Sequence, residues 1–173
     1  LAINAYKKET EELYFEPYTI VNQEDISIGI IGIAATIIDK TMPSHFSEGL
    51  YFTLGNKELP KYVKELQEKE VDLIVVLSHL GFPQDVKMME EVKGIDICLS
   101  GHTHNRLSKP VQINDTTIIQ SGSQSSFIGK IDLTVDDRQI VELQHSLMTI
   151  TEDIFENPKM KGLVNKAVEP YKE

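Results

Sequence analysis

Two short apolar runs, Val71 to Leu77 and Ile95 to Leu99, each lead through a serine into histidine: Leu77-Ser78-His79-Leu80-Gly81 and Leu99-Ser100-Gly101-His102-Thr103-His104-Asn105. Nearly continuous runs of β-branched and aliphatic residues are the mark of parallel strands buried on both faces. The segments before them have helical spacing. Leu59, Tyr62, Val63 and Leu66 make one apolar face, opposite Lys61, Lys64, Glu65 and Glu68, and Pro60 is tolerable only in a first turn. Gln84 to Val92 repeats the pattern with Val86, Met89 and Val92, and Met88-Met89 reads as core filling. Strand, helix, strand, helix, strand predicts two right-handed crossovers, hence an α/β sheet whose strand ends carry the histidines. Open α/β sheets keep their chemistry at that end.

The flanking chain fits a mixed sheet. Ile26 to Ile33 reads as a strand whose Gly29 and Gly32 imply close backbone approach. Their Gly-x-x-Gly spacing, with no helix pattern after it, excludes a dinucleotide fingerprint. Phe15 to Val21 is a strand candidate interrupted by Pro17, and Ala34 to Thr53 reads as a long loop with a short helical turn. His45 lies in that loop, where an exposed histidine weighs at least as much as a role at a site. Asn114-Asp115 makes a hairpin of Val111 to Ile113 and Thr116 to Gln120; Asp136-Asp137 makes another of Phe127 to Val135 and Gln139 to Ile150. Late antiparallel strands behind a parallel half predict a mixed sheet, or a second sheet packed on the first. His145, amid Leu143, Gln144 and Leu147, reads as structural or solvent-facing. Met160, Leu163, Val164, Ala167 and Val168 then mark a helix, so the expected division is a domain over 1–151 and a connector over 152–173.

Composition excludes some functions. Lys+Arg 17 against Asp+Glu 27 gives a net charge of −10 with no basic stripe, against a surface for duplex nucleic acid, whose affinity rests on neutralising phosphates. Cys98 is the single cysteine, so neither an internal disulfide nor a Cys-rich zinc site is available, and inside an apolar run it reads as a buried thiol. No stretch approaches the ~20 apolar residues of a membrane span. Leu1 to Thr10 lacks the sections of a signal peptide, and the chain starts without methionine, so the compartment stays open.

His102 and His104 stand two apart, and in extended backbone such a pair projects to one side, with Gly101 free to turn the chain as it leaves the strand. Neutral imidazole is the commonest ligand for transition metals. His79, His102 and His104 could hold one zinc ion with a water in the fourth position, or be shared between two metals roughly 3.5–4 Å apart that clamp a phosphate. No acidic residue adjoins either histidine motif to bridge two metals; Asp72 and Asp96 lie several residues from the strand ends and read as local. Asn105 and Arg106 read as capping the loop, with contact to an anionic ligand as the alternative.

Leu77-Ser78-His79-Leu80-Gly81 followed by Gly101-His102-Thr103-His104 resembles the two C-terminal motifs of the calcineurin-like metallophosphoesterases, in the 5′-nucleotidase and cyclic-phosphodiesterase branch. Glu16-Pro17-Tyr18-Thr19-Ile20, Ile28-Gly29-Ile30-Ile31-Gly32, Ile118-Ile119-Gln120-Ser121-Gly122 and Ile128-Gly129-Lys130-Ile131 extend the resemblance over most of the chain. It implies the second half of a four-layered α/β/β/α sandwich with a dinuclear centre of zinc, manganese, iron or similar ions. His79 and His102 would bind one metal and His104 would match a ligand position for the other. The family's Asp-x-His, Gly-Asp and Gly-Asn-His motifs are absent, and Gly55-Asn56 is followed by Lys57. The resemblance therefore implies a piece from the middle of a larger hydrolase of nucleotide phosphate esters, holding part of its metal site and nearly inactive alone. Two alternatives stand beside it. One is a non-catalytic metal-binding or scaffold module, whose uncovered apolar face would drive self-association. The other is a hydrolase of sulfur esters on the same fold.

Overall fold

The computed structural model describes residues 1–172; Glu173, the last residue of the expected connector, lies outside them. A short strand β1 (Ala5–Lys7) is followed by a hairpin of β2 (Tyr18–Gln23) and β3 (Ile26–Ile33). Helix α1 (Ile38–Thr41), a 3-10 turn over Ser44–Phe46 and β4 (Leu50–Phe52) lead to α2 (Leu59–Glu68). Next come β5 (Leu73–Ser78), α3 (Phe82–Glu91), β6 (Ile97–Ser100), β7 (Val111–Ile113) and β8 (Thr116–Ile119). A long hairpin of β9 (Phe127–Asp136) and β10 (Gln139–Thr149) precedes α4 (Pro158–Val168) and a 3-10 turn over Glu169–Tyr171.

Six strands form one mixed sheet in the order β2-β3-β5-β6-β8-β7. The inner pairs β3·β5, β5·β6 and β6·β8 are parallel, and β2 and β7 add antiparallel edges. Both crossovers step along the sheet in the same direction, so right-handedness puts α2 and α3 on one face. There Ile31, Ile33, Ile74, Val76, Cys98 and Ile118 of alternate strand positions pack beneath Leu59, Val63, Leu66, Met88 and Met89. Gly29 is needed here, because a Cβ on it would sit 2.7 Å from a methyl of Leu66.

The opposite face is only partly covered. Gly129 at the start of β9 lies against Ile119 and Ser121, so the separate two-stranded β9·β10 sheet forms a second layer over one side. Leu77 remains 42% exposed. The expectation of a strand buried on both faces is therefore corrected for β5: the helices seal one face, and the hairpin leaves the site end of the other open.

Two further segments depart from the sequence reading. Residues 34–53 contain the expected short helical turn as α1 and, beyond it, a 3-10 turn and β4, which pairs antiparallel with β1. Three-residue strands are too short to show a period of two, so neither was visible. The chain start is also more deeply built in than its composition indicates: Ile3 and Asn4 are fully buried. Asn4 accepts from the Ala34 N–H at 2.8 Å and donates to the carbonyls of Ala34 at 2.9 Å and Thr53 at 2.8 Å. Among the described residues no helix is long and apolar enough to cross a membrane.

Candidate metal centre

Ser78 and Ser100 are register partners at the ends of β5 and β6, so His79 and the Gly101-His102 turn leave the sheet side by side. The His79 and His102 rings lie 5.2 Å apart, centroid to centroid, and are tilted by 59°. Two imidazoles on one tetrahedral ion, with metal–nitrogen bonds of about 2.0 Å and about 1.1 Å more to each ring centre, would put their centroids about 5 Å apart. The separation of the pair matches that spacing. Shielding of the His79 ring lowers its pKa, and the His102 and His104 imidazoles push it the same way. That keeps its lone pair free at neutral pH.

His104 is on the same loop but exposed, and among the described residues no three of His, Cys, Asp or Glu gather closely enough to enclose a metal. The turn itself differs from the sequence reading. His102 and His104 are not in extended backbone; both are left-handed, with φ of 69° and 57°. Gly101 has no left-handed φ, and what marks its place is close approach instead. A Cβ there would lie 3.1 Å from His79 Nδ1 and 3.2 Å from the Ser78 carbonyl oxygen. Gly81, at φ 105°, is the glycine that turns the chain, and a Cβ on it would meet Thr103 at 2.6 Å.

A polar network that the sequence reading missed holds this rim. Asp85, fully buried, accepts from Ser78 Oγ and from Ser100 Oγ, each at 2.5 Å. Burial pushes its carboxyl up, and the two hydroxyls pull it back. Gln120, one residue beyond β8, donates to Ser100 Oγ at 2.8 Å and to the Gly101 carbonyl at 2.7 Å, and its side-chain oxygen accepts from the Asn105 N–H. Thr103 accepts from the Phe82 N–H at 3.0 Å, capping α3 from the other histidine loop. A signal for Asp85 was present: it shares the i, i+3, i+4, i+7 face of Met88, Met89 and Val92.

Beside the pair lies an apolar cavity of about 480 Å³ walled by Ala34, Ala35, Ile38, Met42 and Phe46, with His79 and His102 at its edge. The remaining sequence candidates stand apart from the pair. His45 stacks on Phe46 in the exposed 3-10 turn, and the His145 Nδ1 is buried without a partner in β10. Arg106 lies over the Phe127 ring at 5.2 Å, and Asn105 is tied into the loop through its backbone. Asp72 bonds Ser27 and Asp96 bonds the Ile74 N–H, both local as expected. Cys98 is buried, its thiol pushed far up by desolvation.

No protein-family model matches the chain. Individual proteins do. The trifunctional nucleotide phosphoesterase protein YfkN of Bacillus subtilis is 28% identical over 160 residues, covering 88% of this chain and 11% of that protein. The snake venom 5′-nucleotidase of Naja atra is 26% identical over 174 residues, covering 88% of this chain and 32% of its own length. The homologues of this chain are 5′-nucleotidases and calcineurin-like phosphoesterases. Both relatives are hydrolytic enzymes. The chain spans about a third or less of the curated relatives it matches. Among solved structures, the sulfate thiohydrolase SoxB of Thermus thermophilus superposes with a TM-score of 0.92 at 23% identity, over 99% of this chain and 32% of that one, and shows that the fold is shared. The mixed α/β fold expected from the sequence is thus the fold of this group.

Proposed function

We propose that this chain supplies His79 and His102, with His104 on the same loop, to a two-metal centre that hydrolyses phosphate esters of nucleotides. The observation that carries the reading is the 5.2 Å separation of two imidazoles at adjacent parallel strand ends. The nucleotide phosphoesterases among the homologues supply the substrate class. When bound, divalent ions in such centres act as Lewis acids and lower the pKa of a water.

The chain's own contribution is to hold and aim ligands. The depressed pKa of His79 favours its neutral, ligating form, Gly101 leaves room beside its Nδ1, and apolar residues from Ala34 to Phe46 line the cavity next to it. Two imidazoles are part of a coordination shell, so the reading requires donors that the described residues do not bring to the rim. Residues 1–173 with Mn²⁺ or Zn²⁺ are therefore expected to turn over a 5′-nucleotide far more slowly than a longer chain with the relatives' remaining length. Robust turnover by the 173 residues, abolished by His102→Ala, would overturn the part-site reading.

A further inference from the structure

Asp85 is a costly residue where it stands. A carboxylate on the apolar face of a helix gives up its hydration, and an apolar side chain of similar volume would serve a core at least as well. Yet both of its oxygens are used, one on each strand end, and the two serines it grips directly precede His79 and Gly101-His102. Each serine passes the constraint on. Ser78 Oγ accepts from the Leu80 N–H at 3.1 Å, closing the turn around His79. Ser100 Oγ accepts from Gln120, whose amide also holds the Gly101 carbonyl and the Asn105 N–H and so spans the loop of His102 and His104. Gln120 is 3% exposed. The two left-handed histidines lie inside the span it fixes, in a conformation that persists only where the surroundings over-determine it.

We propose that Asp85 and Gln120 are positioning residues for the histidine pair: together they clamp the ends of β5 and β6 and thereby set the separation and aim of the His79 and His102 imidazoles. This rests on the reading of those histidines as ligands. Neither residue touches an imidazole; they act through Ser78, Ser100 and the Gly101 carbonyl.

The test is Co²⁺ binding to the full natural chain, followed by the visible d–d absorption, with far-UV circular dichroism and thermal melting as controls for folding. Asp85→Asn keeps the shape and loses one acceptor; Gln120→Glu keeps the shape and loses the donated bonds to Ser100 Oγ and the Gly101 carbonyl. Each is expected to weaken Co²⁺ binding by about tenfold or more, the usual effect of losing a group that orients a ligand, and to shift the absorption band. A native melting profile with that loss separates positioning from general stability. If either variant fails to fold, Ser100→Ala, which removes only the link between the two, carries the same test. Unchanged affinity and band in these variants, while His102→Ala weakens binding, overturns the clamp and leaves the ligand reading standing. Wild-type affinity in both His79→Ala and His102→Ala overturns the ligand reading and the clamp with it.

Discussion

Gly101 illustrates how tightly single residues are specified at the rim. Its φ is ordinary, so alanine would meet no backbone strain, but the added methyl would press on His79 Nδ1 and the Ser78 carbonyl. Gly101→Ala is expected to lower divalent-metal affinity by about tenfold while moving the melting temperature little, measured by titration calorimetry and thermal melting. Gly81 is the converse. At φ 105° with Thr103 in the way, Gly81→Ala combines backbone strain with a clash, and should cost more than about 1 kcal/mol in chemical denaturation. Sequence inspection found His79 and His102 because a histidine after a buried strand is conspicuous. It misjudged the turn between them. Two histidines two apart project together only in extended backbone, and nothing local shows that both are left-handed, in a loop flanked by Gln120's bonds to the Gly101 carbonyl and the Asn105 N–H.

Within the strands, the two faces of β5 differ in what a truncation should do. Val76 is fully buried beneath the helices, whereas Leu77 opens toward the uncovered side. Val76→Ala is expected to cost about 2 kcal/mol and Leu77→Ala less than about 1 kcal/mol by denaturant unfolding, since only the first leaves a cavity in a packed core. Two strand-start aspartates have opposite pH signatures. The Ser27 hydroxyl, and then its N–H, hold Asp72 below the ordinary 3.8. Its stabilising contribution is present above that value and is lost as pH falls through the lower folded one. Asp96 is pushed up by burial, so its favourable protonated form is lost as pH rises through the raised value. Asp72→Asn should therefore lower stability at neutral pH and flatten the loss on acidification; Asp96→Asn, which still accepts from the Ile74 N–H, should raise stability at neutral pH. Melting curves between about pH 3 and pH 7 decide both. Helices α2 and α3 were legible from their period, and strands β3, β5 and β6 from nearly continuous apolar runs. β1 and β4 were not, since three residues carry no period and each strand's partner is 43 or more positions away.

Across the whole molecule, the first residues are joined to the rest by the Ile3 N–H on the Gly32 carbonyl of β3, by Ile3 in the core, and by the Asn4 side chain. Asn4 satisfies three part-buried backbone groups of the segments before α1 and before α2. Asn4→Ala would leave them unpaired at about 1–3 kcal/mol for such a group, so a total loss of about 3 kcal/mol is expected in equilibrium unfolding. The sequence by itself determined which face of each helix is apolar, the parallel run of β3, β5 and β6, and the delivery of histidines to one sheet end. Those follow from periodicity and the fixed hand of crossovers, which are properties of short segments. Tertiary structure alone decided which imidazoles meet, why Gly101 has no side chain, and that a buried aspartate ties two strand ends together. Each depends on residues brought together across register and packing, and a contact of that kind leaves no trace in local spacing.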